Sequence, residues 1–220
     1  MNAHRDPRTR ARMWWGAGLL AAGIALGGAL LLPGADPTVF DLWWEGILSG
    51  TADGPALAVS LFMDVAGGGR YATLWIPLSL VAVLLAARRP WGAGYIVVAL
   101  LASAALVQVL KHVLGRARPE DILVIADVGS FPSGHVANAA TLTIALWVIL
   151  PRWWTATLAA CWIALMAFAR TYVSAHWLTD TVGGALIGSG AALLVAVAFA
   201  RGLSVERRVH ASPRPADARR

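Results

Sequence analysis

Three stretches of the sequence gather side chains suited to one kind of reaction. In the first, Lys111 is followed after six residues by Arg118-Pro119. The second is Phe131-Pro132-Ser133-Gly134-His135, and the third runs from Arg170 through His176 to Asp180. Transfer of a phosphoryl group spreads negative charge over three equatorial oxygens, so its catalysis is mostly positioning plus electrostatic stabilisation. Lys111, Arg118 and Arg170 supply three cations for that charge. Arginine grips phosphate through two parallel N–H bonds, whereas lysine acts as a point charge. The Ser133-Gly134 turn, placed where an apolar run begins, adds backbone N–H donors at a helix N-terminus. Gly134 lets that backbone come close to an anion.

The same stretches hold a nucleophile and an acid. His176 and Asp180 are four residues apart, which on a helix puts them on one face. A carboxylate there accepts the imidazole Nδ1–H, fixes the tautomer and leaves Nε2 free to attack phosphorus. His135 is then available to protonate the leaving oxygen, because imidazole titrates near neutral pH. Each piece has a plain structural reading of its own. A lone histidine near a helix start usually caps or faces water, Pro-Ser-Gly-His is a short match, and Arg118-Pro119 could merely end a helix. Their combination and order carry the chemical reading.

These residues need elements that bring them together, and composition says which. Of 220 residues 58% are hydrophobic and 14% charged, and the mean hydropathy is +0.65. Soluble domains carry roughly 25% charged residues, so the chain belongs to the membrane class. Six apolar runs are long enough to read as spans: Trp14–Leu32, Tyr71–Ala87, Gly92–Val113, Val136–Leu150, Trp153–Tyr172 and Thr179–Ala200. The predicted fold is therefore all-α: six transmembrane helices in a bundle. A basic tail (residues 1–13), a membrane domain (14–200) and a disordered tail (201–220) make up the chain. Between spans one and two, Phe40, Trp43, Trp44, Ile47 and Leu48 fall at helical spacing, with Asp41 and Glu45 on another face. That pattern predicts a short amphipathic helix over residues 38–48, lying in the membrane interface. Gly183, Gly184 and Gly188 read as helix-packing residues.

Charge placement predicts orientation. Arg5, Arg8, Arg10, Arg12, Arg88, Arg89, Arg152, Arg201, Arg207, Arg208, Arg214, Arg219 and Arg220 fall on one side of a six-span chain. Arg70, Lys111, Arg116, Arg118 and Arg170 fall on the other. By the positive-inside rule both termini are cytoplasmic, and all three motif stretches face outward. The pI near 10.7 thus reflects topology, and no nucleic-acid partner is expected. Cys161 stands alone in an apolar run, so no internal disulfide or cysteine metal site is available.

Lys111, Arg118-Pro119, Pro132-Ser133-Gly134-His135, Arg170, His176 and Asp180 resemble the type 2 phosphatidic acid phosphatase superfamily. That family of lipid phosphate phosphatases shares its catalytic core with vanadium haloperoxidases. Its pattern is Lys-x6-Arg-Pro, Pro-Ser-Gly-His and Ser-Arg-x5-His-x3-Asp, and this chain departs from it at Ala169, where the family usually has serine. The resemblance implies His176 as nucleophile, His135 as general acid, and Ser133 with the three cations as phosphate ligands. It implies a lipid phosphatase of the cell membrane that works through a phosphohistidine, with no metal, no cofactor and no obligate protein partner. A polyprenyl diphosphate such as undecaprenyl diphosphate fits the outward site and small size. Phosphatidylglycerol phosphate and phosphatidic acid fit nearly as well. Phosphoryl transfer to another lipid or sugar through the same intermediate is a second enzymatic reading. A non-catalytic lipid-binding relic is a third, against which the intact His135, His176 and Asp180 speak.

Overall fold

The structure, a computed structural model, describes residues 6–32, 36–49, 53–125 and 127–211. Residues 1–5 of the basic tail and 212–220 of the C-terminal tail lie outside the described residues. Among the described residues all regular structure is helical. In chain order the helices are α1 (Pro7–Ala29), α2 (Val39–Leu48), α3 (Gly54–Gly67), a π-helical turn (Tyr71–Trp75) running into α4 (Ile76–Ala86), and α5 (Pro90–Leu114). They continue with α6 (Gly134–Ile149), α7 (Trp153–Tyr172), α8 (Leu178–Ala198) and α9 (Ala200–Ala211).

The bundle is organised on α8, and its small residues explain why. A β-carbon at Gly188 would lie 2.2 Å from the Ala137 carbonyl oxygen, and one at Gly184 would lie 2.5 Å from that of Ser133. Glycine at these two positions lets the backbones of α6 and α8 touch, the small-residue packing typical of helices in lipid. The Thr141 hydroxyl on α6 lies between two acceptors, Ala137 O of its own helix at 2.7 Å and Gly188 O across the seam at 3.2 Å. On the opposite flank α1 presses Gly16 and Gly23 against Leu194 and Ile187 of α8. Tyr95 on α5 is fully buried and donates its hydroxyl to Ala192 O at 2.9 Å.

By length and composition, α5, α7 and α8 are each apolar enough to cross a membrane. A fourth crossing is available if α3 and the Tyr71–Ala86 segment, bent by 48° at the glycines between them, act as one broken span. Helix α6 is apolar but has 16 residues, about 24 Å at 1.5 Å per residue. Helix α1 carries three arginines and five glycines, and it is not among the helices that qualify. Six crossings are thus not established by helix length and composition.

Two expectations need correction. The stretch from residue 33 to 70, read as a loop with one interfacial helix, also holds α3. Its 14 residues fall short of the roughly 20 that mark a span, so a search for spans passes over it. The apolar run expected over Tyr71–Ala87 is helical, opening with a π-helical turn at Tyr71–Trp75. The tail from residue 201 was expected to be disordered, yet α9 is helical through Ala211. Gly202, Leu203, Glu206 and His210 share one face of α9 and dock it on the bundle. Gly202 seats against the Trp91 ring, Leu203 is buried, and His210 Nε2 lies 2.9 Å from Ala87 O. The Glu206 carboxylate accepts from the Trp91 and Gly92 amides, the free N–H groups at the start of α5. The arginine-rich composition of the tail hides this pattern.

Candidate functional site

The three motif stretches meet at one end of the bundle, where α5 and α7 finish and α6 and α8 begin. Lys111 is 2% exposed near the end of α5. Its Nζ donates to Gly129 O at 2.7 Å and pairs with Asp127 Oδ1 at 3.1 Å. Arg118 lies beyond the left-handed Gly115 that closes α5. Its Nη2 donates to the same Gly129 carbonyl at 2.9 Å and to Asp127 Oδ1 at 2.7 Å. The turn at Gly129, with φ +75, thus ties the first two cations together. Burial pulls the Arg118 guanidinium below its ordinary pKa, against the opposing pull of Asp127 and Asp180. The third cation, Arg170, is 2% exposed at the end of α7 and pairs with Asp64 of α3.

His176 sits in the turn between α7 and α8. Its Nε2 lies 3.3 Å from Arg118 Nη1. A guanidinium only donates, so Nε2 is the accepting, lone-pair nitrogen and the proton belongs on Nδ1. Nδ1 is 3.5 Å from Ser130 Oγ, whose hydroxyl donates to Asp180 Oδ2, and 3.6 Å from Asp180 Oδ2 itself. The last distance is longer than a hydrogen bond, and contacts of this kind tighten in reacting complexes. Burial, with Arg118 and Arg170 adding to it against Asp180, pushes the His176 pKa down from 6.5 to about 4. The imidazole is therefore neutral at physiological pH.

The expected helical face shared by His176 and Asp180 is not how they meet. Helix α8 starts only at Leu178, with Trp177 as its N-cap. Asp180 folds back to accept from the Trp177 amide at 2.9 Å. This capping contact swings the carboxylate toward residue 176.

Ser133 is the N-cap residue of α6, yet its hydroxyl makes no capping bond. Ser133 Oγ and Arg170 Nε are buried and have no hydrogen-bond partner among the described residues. Buried polar atoms are almost always paired, so these two orphans, one of them on a cation, together with Lys111 and Arg118 at the same end of the bundle, point to an anion. Gly134 opens α6 just after Ser133. His135, the next residue, has Nε2 at 3.3 Å from Asp64 O and 3.5 Å from Asp64 Oδ1. It lies against Gly68, where a β-carbon would come within 2.1 Å of Nε2. Ala169 is fully buried among Met63, Val136 and Met166, so an apolar neighbourhood fills the space around this departure from the family serine.

Four contributors escaped the sequence reading: Arg116, Ser130, Asp127 and Asp64. Arg116 is the most instructive. It is 6% exposed and pairs with three carboxylates: Asp180 at 2.5 Å, Asp36 at 2.6 Å and Asp41 at 2.7 Å. Burial works against its charge, but Asp180, Asp36 and Asp41 outweigh that and hold its pKa above the ordinary value. Asp41 belongs to α2, where it forms a capping box with Thr38 and accepts from Thr179 N at 2.9 Å. The helix expected over residues 38–48 is present, and Arg116 joins it to Asp180. Phe40, Trp43 and Ile47 of α2 remain exposed, while Trp44 Nε1 donates to Thr171 Oγ1 at 2.8 Å. The signal for Arg116 was its place among the cations that positive-inside sorting left on the motif side. Between α2 and the 118–123 segment lies a groove of about 680 Å³, with Arg118 and His176 in its wall.

Among the described residues the fold is helical, with buried cations around a neutral histidine. The PAP2 superfamily model matches residues 92–202, half of the 220-residue chain, and the chain belongs to that superfamily. A lipid A 1-phosphatase of Rhizobium johnstonii is 31% identical over 126 residues, 50% of this chain and 49% of that protein. An undecaprenyl-diphosphatase of Sulfolobus acidocaldarius is 27% identical over 124 residues, 53% of this chain and 59% of that protein. The chain thus spans about half the length of the curated relatives it matches. Among solved structures, a transmembrane PAP2-type phosphatidylglycerolphosphate phosphatase from Bacillus subtilis superposes with TM-score 0.70 at 21% identity. That superposition covers 90% of this chain and 98% of that one. Aquifex aeolicus LpxE superposes with TM-score 0.63 at 21% identity, covering 73% and 97%.

Proposed function

We propose that the protein hydrolyses the phosphate or diphosphate of a membrane lipid through a phosphohistidine on His176. The observation that carries the reading is the pair of buried orphans, Ser133 Oγ and Arg170 Nε, beside Lys111, Arg118 and the neutral His176. In this reading the phosphate takes up those atoms, the Gly134 backbone and the Lys111 and Arg118 donors now shared with Asp127. Nε2 of His176 attacks phosphorus, and the bond to the leaving oxygen breaks. Burial and the Arg170 charge hold the His135 pKa down at about 4, so His135 takes up its proton as the phosphate anion enters, gives it to the leaving oxygen, and then takes one from the water that cleaves the phosphorus–nitrogen bond, releasing phosphate. Asp180 and Ser130 hold the Nδ1–H and balance the imidazolium that forms. The cations neutralise charge as a divalent metal does elsewhere, so neither metal nor cofactor is required.

Six crossings, cytoplasmic termini and an outward site are the topology we propose, supported by the thirteen-to-five arginine and lysine asymmetry. A polyprenyl diphosphate such as undecaprenyl diphosphate is the favoured substrate, supported by the outward site and by the name of the Sulfolobus relative. A phosphatidylglycerol phosphate or phosphatidic acid is the second reading, supported by the name of the Bacillus neighbour. The test is phosphate release by the purified full chain in detergent across a panel of these lipids, with and without EDTA. Release from no lipid phosphate, or release abolished by EDTA and restored by Mg²⁺, overturns the proposal.

A further inference from the structure

A second cavity, of about 830 Å³, opens at the other end of the bundle. It lies between the start of α1, the end of α6, the start of α7 and the second half of α8. The length of α6, about 24 Å, separates it from Ser133. Its deeper wall is aliphatic, with Leu19, Ile144, Val148 and Leu193. Trp15, Trp147 and Trp153 line it as well, the residue type that favours the headgroup level of a bilayer. Arg8, Arg12 and Arg152 line it too.

None of these three guanidiniums makes a salt bridge among the described residues. Arg207 of α9 adds a fourth positive charge nearby. Its Nη1 is buried without a hydrogen-bond partner among the described residues, and its charge interacts with that of Arg8. Asp6 sets one negative charge against Arg12 and Arg207 while it caps α1, accepting from Thr9 Oγ1 at 3.2 Å and from the Arg8 amide at 3.4 Å, so the four arginines still outnumber it. Clustered like charges repel, so this end of the protein calls for an anion.

Sorting of arginine to one side of a membrane explains why these residues are here. It does not explain why they border a cavity with an aliphatic wall. A soluble anion would satisfy the arginines and leave the cavity wall bare; an acyl chain alone would do the reverse. A phospholipid does both, and basic pockets between membrane helices are known to hold lipid headgroups. The positive cluster further disfavours a headgroup that carries its own cation.

We propose that this cavity binds one anionic phospholipid of the leaflet opposite the phosphatase site, phosphate on Arg8, Arg12 and Arg152 and acyl chain along Leu19, Ile144, Val148 and Leu193. The site is separate from the proposed catalytic one and does not depend on that reading.

The experiment is thermal unfolding of the purified full chain in detergent with added phosphatidylglycerol, phosphatidylcholine or soluble glycerol phosphate. Phosphatidylglycerol raises the midpoint well above the other two. The shift survives in His176→Ala, which separates this site from the catalytic one. The triple variant R8Q/R12Q/R152Q loses it, with an affinity weakened about tenfold or more as charge-assisted bonds are removed. Should that variant fold poorly, Ala156→Phe narrows the cavity, leaves the arginines in place and reduces the shift. Equal shifts from phosphatidylcholine, a shift reproduced by glycerol phosphate, or a phosphatidylglycerol shift undiminished in Ala156→Phe overturns the proposal.

Discussion

At the scale of single residues, the two histidines are distinguishable by experiment. With His176 as nucleophile, His176→Ala forms no covalent phosphoenzyme on any substrate. With His135 as acid, His135→Ala loses about 10²–10⁴-fold on a lipid phosphate, the usual size of general acid catalysis. It loses less on an aryl phosphate whose leaving group needs no proton. Acid-quench trapping of labelled enzyme, with rates on both substrates, checks this, and a phosphoenzyme in His176→Ala would reverse the assignment.

His176 also carries a pH prediction. Its folded pKa is about 4 against an ordinary 6.5. Between those values the unfolded chain binds the proton and the folded one does not. The histidine's contribution to stability is therefore full above pH 6.5 and falls as pH drops toward 4. Titration by NMR of labelled histidine is expected to place the His176 midpoint near 4, and Arg118→Met to move it upward, because Arg118 is one source of the depression. A midpoint near 6.5 in the parent protein contradicts the burial argument.

Asp127 offers a further test. Its side chain is 58% exposed, and it occupies donors of Lys111 and Arg118 that the proposed mechanism assigns to phosphate. Asp127→Asn is expected to lower KM by up to about fivefold, the scale of ~1 kcal/mol for an exposed pair, with kcat little changed. A rise in KM would mean that Asp127 shapes the site instead of competing for it.

At the scale of elements, Arg116 couples α2 to the start of α8. Arg116→Leu leaves Asp41 and Asp180, both buried, without their cation. Removing one partner of a buried pair costs about 3–5 kcal/mol, so a large drop in melting temperature is expected. Arg116→Lys keeps the charge without the fork that serves several carboxylates, so a partial loss is expected. If Arg116 positions Asp180, the surviving Lys variant shows reduced kcat with KM little changed. The α6–α8 seam makes a second prediction. Gly188→Ala drives a β-carbon to 2.2 Å from the Ala137 carbonyl, and forced overpacking costs ~1–3 kcal/mol. Gly18→Ala on the open face of α1 meets nothing within 4 Å and is expected to be neutral or stabilising. Thermal unfolding of the two variants side by side checks the contrast.

At the scale of the whole molecule, the fold puts the motif residues at one end and nine of the thirteen sorted arginines, Arg8, Arg10, Arg12, Arg88, Arg89, Arg152, Arg201, Arg207 and Arg208, near the other. The proposed orientation predicts that a cysteine in the tail beyond residue 211 is not labelled by an impermeant reagent outside intact cells. Labelling there would invert or change the topology.

Sequence alone determined the helical membrane class, the position of α2, the apolar cores of α5 to α8, and the meeting of three motif stretches at one end. The first three depend on composition and local periodicity, which are written along the chain; the fourth was read from the parity of the six crossings proposed above. It did not reveal α3, because 14 residues fall below the length of a span, or α9, whose docking face hides in a polar composition. Nor did it find the partners of the motif residues. Asp64 reaches Arg170 across 106 positions, and Arg116 reaches Asp41 across 75. Ser130 reaches Asp180 across 50. Such pairs have no signature in local spacing, because they are selected by burial: a charge withdrawn from water needs whichever opposite charge the packing brings near. Tertiary structure therefore decided how His176 is oriented and made neutral, why α2 is tied to Asp180, and where an arginine-lined cavity opens at the far end of the bundle.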